Sequence, residues 1–419
     1  MKCCVVNLGC KVNRVESDDV ERAFGSAGCC FTSENDADVI VVNTCTVTGE
    51  AEKKTRKAVR HALRANGRAR VVVTGCAVAI DAATYRAMGE RVEIVLKPDL
   101  SDYVASLIES ECATDRVVES RFDVAAGLAP AAGPRGRTRA GVKVQDGCDN
   151  ACTYCIVHVA RGRAVSRPLD QVKAETSALA RAGVREIVLS GINIGSYNWH
   201  GAGVADLIEE LLAVIDLPSR DGFPAARLRV SSIEPADVSD DFVRLLAKAQ
   251  GRVCRHLHLP LQSGSSKVLR EMARPYDAEE FAQLVDYLRV SVPGLSLSTD
   301  VIVGFPGETD EDFADTCAVA RESAFSKIHV FPYSMRAGTP AAERGDQITP
   351  EVKTQRAAAL RALSDDLRET DWRGRVGAVE LALVEERGRA MTESYYSVLT
   401  PQGAEVGSLV PVELDRRLD

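Results

Sequence analysis

The segment Asp146-Gly147-Cys148-Asp149-Asn150-Ala151-Cys152-Thr153-Tyr154-Cys155 places three thiols at the spacing Cys-x3-Cys-x2-Cys within one short loop. Three thiolates held this closely can bind three irons of a 4Fe-4S cluster and leave the fourth iron open to a substrate. A zinc site usually closes with a fourth Cys or His at short spacing, and only His158 follows here. The spacing also differs from the bacterial ferredoxin run, which disfavours simple electron transfer.

A second set of three is dispersed. Cys10, Cys45 and Cys76 lie 35 and 31 residues apart, and each falls just after a short β-branched run. The runs are Cys3 to Leu8, Asp38 to Asn43 and Val71 to Thr74, with a fourth at Val92 to Leu96, and helical stretches separate them. Such alternation predicts βαβ crossovers and a parallel sheet, whose strand-to-helix turns all meet at one edge. Each spacing matches one βα repeat, so three distant cysteines can converge there. The helix N-termini that follow favour thiolates. Three thiolates again suit a cluster with one open iron, whereas a closed structural site wants four ligands.

The remaining cysteines read differently. Cys3, Cys4, Cys29, Cys30, Cys112, Cys254 and Cys317 sit in apolar surroundings and are expected to be small buried hydrophobes. Thirteen cysteines in a chain without a basic leader or a small-residue cleavage site predict thiols in the cytoplasm rather than disulfides. No apolar run approaches the roughly 18 residues of a membrane span, so no membrane partner is expected.

A length of 419 residues predicts two or three domains. Residues 1–124 form the first, α/β with a parallel sheet. Residues 125–138 are rich in Ala, Gly and Pro and read as a linker. The second, 139–371, alternates strand and helix six times, with strands near Val142, Glu186 to Ser190, Leu228 to Ser232, His256 to Leu261, Leu295 to Val303 and Lys327 to Phe331. That predicts a partial (βα)6 barrel with its chemistry at the C-terminal strand ends. From residue 372 to 419 the pattern changes to short strands and turns, as in a small β-barrel.

The net charge of −8 excludes a uniformly basic nucleic-acid coat and leaves local patches to be sought. From Lys53 to Arg70 eight Lys or Arg residues occur without an acid, on a helical pattern that includes Arg56, Arg60 and Arg64. Arg135, Arg137, Arg139 and Lys143 form a second acid-free stretch leading to the loop cysteines. Either a solvated helix face or a phosphate-binding surface produces such a pattern.

The loop Cys148–Cys155 resembles the signature of the radical-SAM superfamily. The resemblance implies that the open iron chelates S-adenosylmethionine and that one electron cleaves it to methionine and a 5′-deoxyadenosyl radical. It further implies that Tyr154 packs beside the cofactor, and that Ser190-Gly191 lies near the methionine part. Leu8-Gly9-Cys10-Lys11-Val12-Asn13, Val42-Asn43-Thr44-Cys45-Thr46-Val47-Thr48 and Val73-Thr74-Gly75-Cys76 resemble the three N-terminal cysteine motifs of the methylthiotransferases. His258-Leu259-Pro260-Leu261-Gln262-Ser263-Gly264, the run Asp300 to Thr309 and Phe331-Pro332-Tyr333-Ser334 extend that likeness to about residue 340. Two departures stand out. No proline follows Cys155, although Arg161 and Arg163 remain. The tail resembles a TRAM-like RNA-binding barrel around Met391 to Val398, yet from Arg373 onward it carries six Arg against eight acids.

The resemblance implies two 4Fe-4S clusters, on Cys10, Cys45 and Cys76 and on Cys148, Cys152 and Cys155, and two S-adenosylmethionine molecules per turnover. It also implies a tRNA anticodon loop as partner, a reductant such as flavodoxin or ferredoxin, and a sulfur-donor system. Lys11-Val12-Asn13 after the first cysteine is similar to the branch acting on threonylcarbamoyladenosine. The branches acting on isopentenyladenosine or on an aspartate of a ribosomal protein carry other residues there. A redox or structural iron–sulfur protein is the reading that needs no open iron. The threonyl carboxylate calls for a cation, with Arg161, Arg163 and Arg336 as candidates by position.

Overall fold

The computed structural model describes residues 1–111, 138–216, 224, 226–249 and 251–419. Cys112, Arg135, Arg137 and all but the last residue of the expected linker lie outside them. The chain divides into two units, Met1–Gly136 with Ile156–Arg163, and Arg137–Cys155 with Ala164–Asp419. The segment from 372 onward, expected as an appendage, thus belongs to the second unit, and the eight residues after Cys155 belong to the first.

The first unit contains β1 (Lys2–Asn7), α1 (Lys11–Ser26), β2 (Cys30–Phe31), β3 (Val39–Thr44), α2 (Gly49–Ala65), β4 (Arg70–Gly75), α3 (Cys76–Ile80), α4 (Ala82–Arg86), β5 (Val92–Ile94), α5 (Leu100–Glu111) and α6 (Val157–Arg161). Its strands are all parallel, in the order β2-β1-β3-β4-β5. Every residue of β3 is buried, as a central strand covered on both faces requires. One face packs Val5, Val39, Val41 and Val72 under Val20, Phe24, Val104 and Ile108; the other packs Ile40, Val42, Val71 and Val73 under Val59, Ala62 and Tyr85. The two-residue edge strand β2 was not expected, being too short to show a period. It corrects the reading of Cys30, which is exposed on that edge, while Cys3, Cys4, Cys29 and Cys254 are buried and Cys317 is half-buried.

In the second unit, the parallel strands β6 (Arg139–Lys143), β9 (Glu186–Ser190), β10 (Arg227–Val230), β11 (His256–His258), β12 (Ser296–Val303) and β13 (Lys327–Pro332) lie at the places read from the sequence. They form two three-stranded sheets, β6-β9-β10 and β11-β12-β13, joined by parallel bridges Leu228↔Val253 and Ser232↔His258. The ribbon of β7 (Gln145–Asp146) and β8 (Val165–Ser166) flanks the cysteine loop. The crossover helices are α7 (Leu169–Arg181), α8 (Val204–Val214), α9 (Asp240–Lys248), α10 (Ser266–Glu271), α11 (Ala278–Ser291) and α12 (Asp310–Glu322), followed by the long α13 (Pro350–Arg375). Capping boxes at Asp277/Glu280 and Thr309/Asp312 start α11 and α12.

The strands alternate strictly. Leu257, Leu297, Val301 and Val303 are buried toward the helices, and Glu186, Arg227, Arg229, His256, Ser296 and Ser298 occupy the inner face. At the N-terminal end of the barrel the inner face meets the last sheet. Strands β14 (Val379–Glu386), β15 (Arg389–Thr392), β16 (Ser397–Val398) and β17 (Leu409–Glu413) form an antiparallel sheet ordered β16-β15-β14-β17, and Val398 bridges on to Arg417. Arg227 donates to the carbonyls of Leu381 (2.7 Å) and Met391 (3.2 Å), Arg229 to those of Glu393 (2.9 Å) and Thr392 (3.0 Å), and both pair with Glu186. Arg229 also covers the ring of Tyr395 at 4.4 Å. Burial pushes the Glu186 carboxyl up, but Arg229 and Arg227 outweigh it and hold it well below the usual carboxylate range. Removing one partner of such a buried pair costs about 3–5 kcal/mol, and the guanidiniums that the pair fixes are the ones that bond the carbonyls of the last sheet.

Candidate active site: two cysteine triads

In the first unit Cys10 caps the N-terminus of α1, Cys45 directly follows β3, and Cys76 opens α3 after β4. Strands β1, β3 and β4 are neighbours, and their ends are in register, Asn7 beside Asn43 and Asn43 beside Thr74. The three turns therefore leave the sheet from one row, at the point where the strand order reverses and where ligands bind in sheets of this order. Gly9 has φ +99°, and a Cβ on it would lie 2.6 Å from the Cys45 sulfur, so only glycine lets the first turn approach the second. Gly75 has φ +101°, and a Cβ there would meet the Thr44 carbonyl at 2.4 Å.

Asn13 ties these turns together. Its Nδ2 donates to the carbonyls of Leu8 and Thr44, both at 2.8 Å, and its Oδ1 accepts from Arg161 (2.7 Å) and Lys97 (3.2 Å). Thr55 Oγ1 donates to the Cys45 carbonyl at 3.0 Å, and the Ala77 amide donates to Thr44 Oγ1 at 3.2 Å. Cys45 and Cys76 are buried and Cys10 is exposed. Burial pushes the Cys45 thiol up, and the nearby Cys10 and Cys76 sulfurs push the same way while Lys97 opposes them. Three thiols meeting at one sheet edge are a donor set that could hold an iron–sulfur cluster, because a bound metal drives such thiols to the thiolate.

In the second unit the loop Gly147–Cys155 leaves β7 with its own strap. Gln145 Nε2 donates to the carbonyls of Asp146 (2.9 Å) and Gly147 (2.8 Å), while its Oε1 accepts from the amides of Ile192 and Asn193, both at 3.0 Å. That side chain joins the cysteine loop to the Ser190-Gly191 turn after β9. Ser190 is buried, and a Cβ on Gly191 would lie 3.0 Å from Gln145 Oε1. Thr153 donates from its amide to the Met272 carbonyl (3.0 Å) and from its hydroxyl to the Glu271 carbonyl (2.8 Å). Tyr154 is partly buried against Val268, Met272, Phe305, Tyr333 and Ala341, and burial pushes its hydroxyl well above the usual range. Burial likewise raises the Cys148 thiol.

Arg274 donates to the Cys152 sulfur at 3.1 Å, lies 3.5 Å from the Tyr154 hydroxyl, and pairs with Glu234. Burial pushes Glu234 up against the pull of Arg274. Sequence reading missed Asn13, Lys97, Gln145, Glu234 and Arg274 as site residues. A signal was available for Lys97, Gln145 and Glu234, each a polar residue within four positions of a strand end; Asn13 lies in the first turn of α1 and Arg274 between α10 and α11, where position relative to a strand gives none.

Of the cations named from the sequence, Arg161 is engaged. Its side chain is 1% exposed and bonded to Asn13 and to Glu16 at 3.1 Å. Arg163 is exposed and Arg336 half-buried. On α2, Thr55, Val59 and Ala62 form the buried face, and Lys53, Lys57, Arg60 and Arg64 are exposed along the opposite one. Arg56 does not belong with them, because Glu52, one turn before it, takes its charge. Among the described residues no helix is long and apolar enough to cross a membrane.

Residues 142–320 match the Radical SAM superfamily, and residues 2–97 match the family described as Uncharacterized protein family UPF0004. A threonylcarbamoyladenosine tRNA methylthiotransferase, MtaB, of Bacillus subtilis is 39% identical over 373 residues, 86% of this chain and 79% of the relative. The MtaB of Thermotoga maritima is 36% identical over 364 residues, 87% and 82%, and that of Chlamydia pneumoniae 34% over 420, 98% and 95%. Among solved structures, the radical S-adenosylmethionine methyltransferase TsrM from Kitasatospora setae superposes with a TM-score of 0.58 at 16% identity, over 81% of this chain and 77% of that one. The cobalamin-dependent radical enzyme OxsB gives 0.53 at 11%, over 87% and 56%. At these identities the two structures speak for the fold alone.

Proposed function

Because this chain belongs to the threonylcarbamoyladenosine tRNA methylthiotransferase (MtaB) family and is a radical SAM methylthiotransferase, we propose that it converts threonylcarbamoyladenosine beside the tRNA anticodon to the 2-methylthio derivative. The observation that carries the reading is the pairing of one loop triad with one strand-end triad in a chain whose relatives of that name match along nearly its whole length. Cys148, Cys152 and Cys155 would hold one 4Fe-4S cluster and Cys10, Cys45 and Cys76 the other. When bound, these clusters and two S-adenosylmethionine molecules supply a carbon-centred radical, a sulfur atom and a methyl group. A reductant such as flavodoxin or ferredoxin and a sulfur-donor system serve them in the cytoplasm.

The protein's own residues do the rest. Gln145 holds the cysteine loop and the Ser190-Gly191 turn in one arrangement, and Tyr154 walls the loop on its apolar side. Arg274 places a positive charge on the Cys152 sulfur. An anticodon-loop base can be splayed into such a site because it is single-stranded. For the threonyl carboxylate Arg161, Arg163 and Arg336 are the candidates by position, Arg161 being already bonded to Glu16. The exposed stripe of α2 is the surface for the RNA backbone. The sheet β14–β17, curled by the Val398–Arg417 bridge, is read as a short TRAM-like barrel whose main task is to close the N-terminal mouth of the (βα)6 barrel.

The test supplies reconstituted, reduced enzyme and S-adenosylmethionine with tRNA bearing either threonylcarbamoyladenosine or isopentenyladenosine, followed by nucleoside mass spectrometry. The 2-methylthio product is expected from the first alone. Turnover of the isopentenyl form alone would overturn the substrate and leave the reaction class standing.

A further inference from the structure

Three inner-face side chains of the barrel carry metal-ligating atoms and play no part in either cysteine triad. His258 ends β11, Asp300 lies in β12 and His329 in β13, three adjacent parallel strands with Asp300 and His329 directly in register. One ligand atom from each lies within 4.8 Å of the other two. Neighbouring residues on the same strands, Leu257, Val301 and Ile328, are buried on the opposite face. This group therefore faces the barrel interior, above the layer of Ser298 and His256.

The distances suit a shared metal. His258 Nε2 lies 3.3 Å from Asp300 Oδ2. A charge-assisted N–H···O bond draws its atoms to about 2.7–2.9 Å. The edge between two ligands in a tetrahedral zinc site, with bonds of about 2.0–2.1 Å, is about 3.3 Å. The other ring nitrogen is held from behind, His258 Nδ1 standing 3.0 Å from Ser298 Oγ, which stands 3.0 Å from His256 Nε2. In the tautomer that donates Nδ1–H to Ser298, the Nε2 lone pair faces the Asp300 carboxylate, the placement that a cation held between them would use. Fixing the tautomer through the second nitrogen is what metal-ligating histidines ordinarily show. An anion is disfavoured at the same place, because Asp300 already supplies negative charge and Glu234 lies close enough for Asp300 to push its carboxyl up.

We propose that His258, Asp300 and His329 form a binding site for a divalent cation of the zinc class inside the barrel. Two imidazoles and one carboxylate suit zinc or another borderline first-row ion rather than magnesium or calcium, which prefer all-oxygen sets. Three protein ligands leave at least one position open, as in catalytic rather than structural sites. His329 is exposed and Asp300 a third exposed, so that position opens toward the barrel cavity and takes an oxygen donor of whatever substrate enters. The site is distinct from the cysteines, and its existence does not depend on the identity of the RNA base.

The experiment uses reconstituted holoenzyme without RNA, incubated anaerobically with Zn2+, dialysed, and counted for zinc and iron by mass spectrometry. About one zinc per chain is expected, with the iron count unchanged. X-ray absorption at the zinc edge should show nitrogen and oxygen neighbours with imidazole scattering. Asp300→Asn and His329→Ala should each abolish the bound zinc and keep all the iron, and Ser298→Ala should weaken it by roughly tenfold or more. Equal zinc in wild type and both variants, no zinc at all, or a shell dominated by sulfur would each overturn the site. Because no tRNA is present, such an outcome leaves the methylthiolation assay as an independent measurement.

Discussion

The two cysteine triads bring three thiols together by opposite means. Cys148, Cys152 and Cys155 span eight residues, so local chain geometry brings them together. Cys10, Cys45 and Cys76 span 67 residues and meet only because β1, β3 and β4 are adjacent and end in one row. Each triad depends on one buried amide side chain that bridges two turns, Asn13 in the first unit and Gln145 in the second. In the first unit the amide joins cysteine turns to each other, and in the second it joins the cysteine loop to a neighbouring strand end. The strand-end triad is thus a readout of the whole sheet, and the loop triad is a readout of one loop.

The largest effects should come from deleting each set. Changing Cys10, Cys45 and Cys76 to Ala should lower iron from about eight to about four per chain, retain S-adenosylmethionine cleavage and abolish the methylthio product. Changing Cys148, Cys152 and Cys155 to Ala should remove the same amount of iron and abolish cleavage as well. Product formation by the first variant would end the division of labour between the triads.

This contrast also explains what was legible in the sequence. The loop triad is visible as spacing alone. The strand-end triad was readable only through the β-branched runs that precede each cysteine, because position after a parallel strand implies a shared edge. All six barrel strands were visible for the same reason, whereas β2, two residues long, left no pattern. Long-range pairing was not legible. Nothing near Arg227 or Arg229 announces that their partners are Glu186 and the carbonyls of Leu381 to Glu393, so residues 372–419 read as a separate appendage. In the same way nothing near Arg161 announces that Glu16, 145 positions away, is its partner. Arg56 lies in an acid-free window that begins one residue after its partner, Glu52.

A smaller effect sharpens the comparison through the two amides. Asn13→Asp puts an acceptor where Nδ2 faced two carbonyl oxygens at 2.8 Å, while Lys97 and Arg161 draw the new carboxylate the other way. Loss of these buried bonds should cost about 1–3 kcal/mol and loosen the Cys10 and Cys45 turns together. Iron after reconstitution should fall toward about four per chain. Gln145→Glu loses the bonds to the Asp146 and Gly147 carbonyls but keeps the acceptor for Ile192 and Asn193, within a triad that its own loop already gathers. Its iron should stay near eight, and weaker S-adenosylmethionine binding should be the main result. Equal iron loss in both variants would mean that the two triads do not differ in their dependence on the fold.

The smallest effect concerns charge, where the regions differ again. Beside the loop triad the cation, Arg274, is buried and paired with Glu234; α2, which begins four residues after Cys45, carries Lys53, Lys57, Arg60 and Arg64 on an exposed face. Only the second arrangement leaves charge for an RNA backbone. Converting Lys57, Arg60 and Arg64 to Gln touches no buried group, so stability should change by no more than about 0.5 kcal/mol per position. Iron content and RNA-independent S-adenosylmethionine cleavage should be unchanged. Affinity for tRNA should fall, and the slope of log affinity against log salt should decrease by roughly 0.7–0.9 for each RNA phosphate that is no longer neutralised. Arg56→Gln is the internal control, since Glu52 already neutralises that guanidinium and its removal should alter the slope least. Unchanged affinity and slope in the triple variant would show that the stripe only solvates the helix and that RNA is held elsewhere.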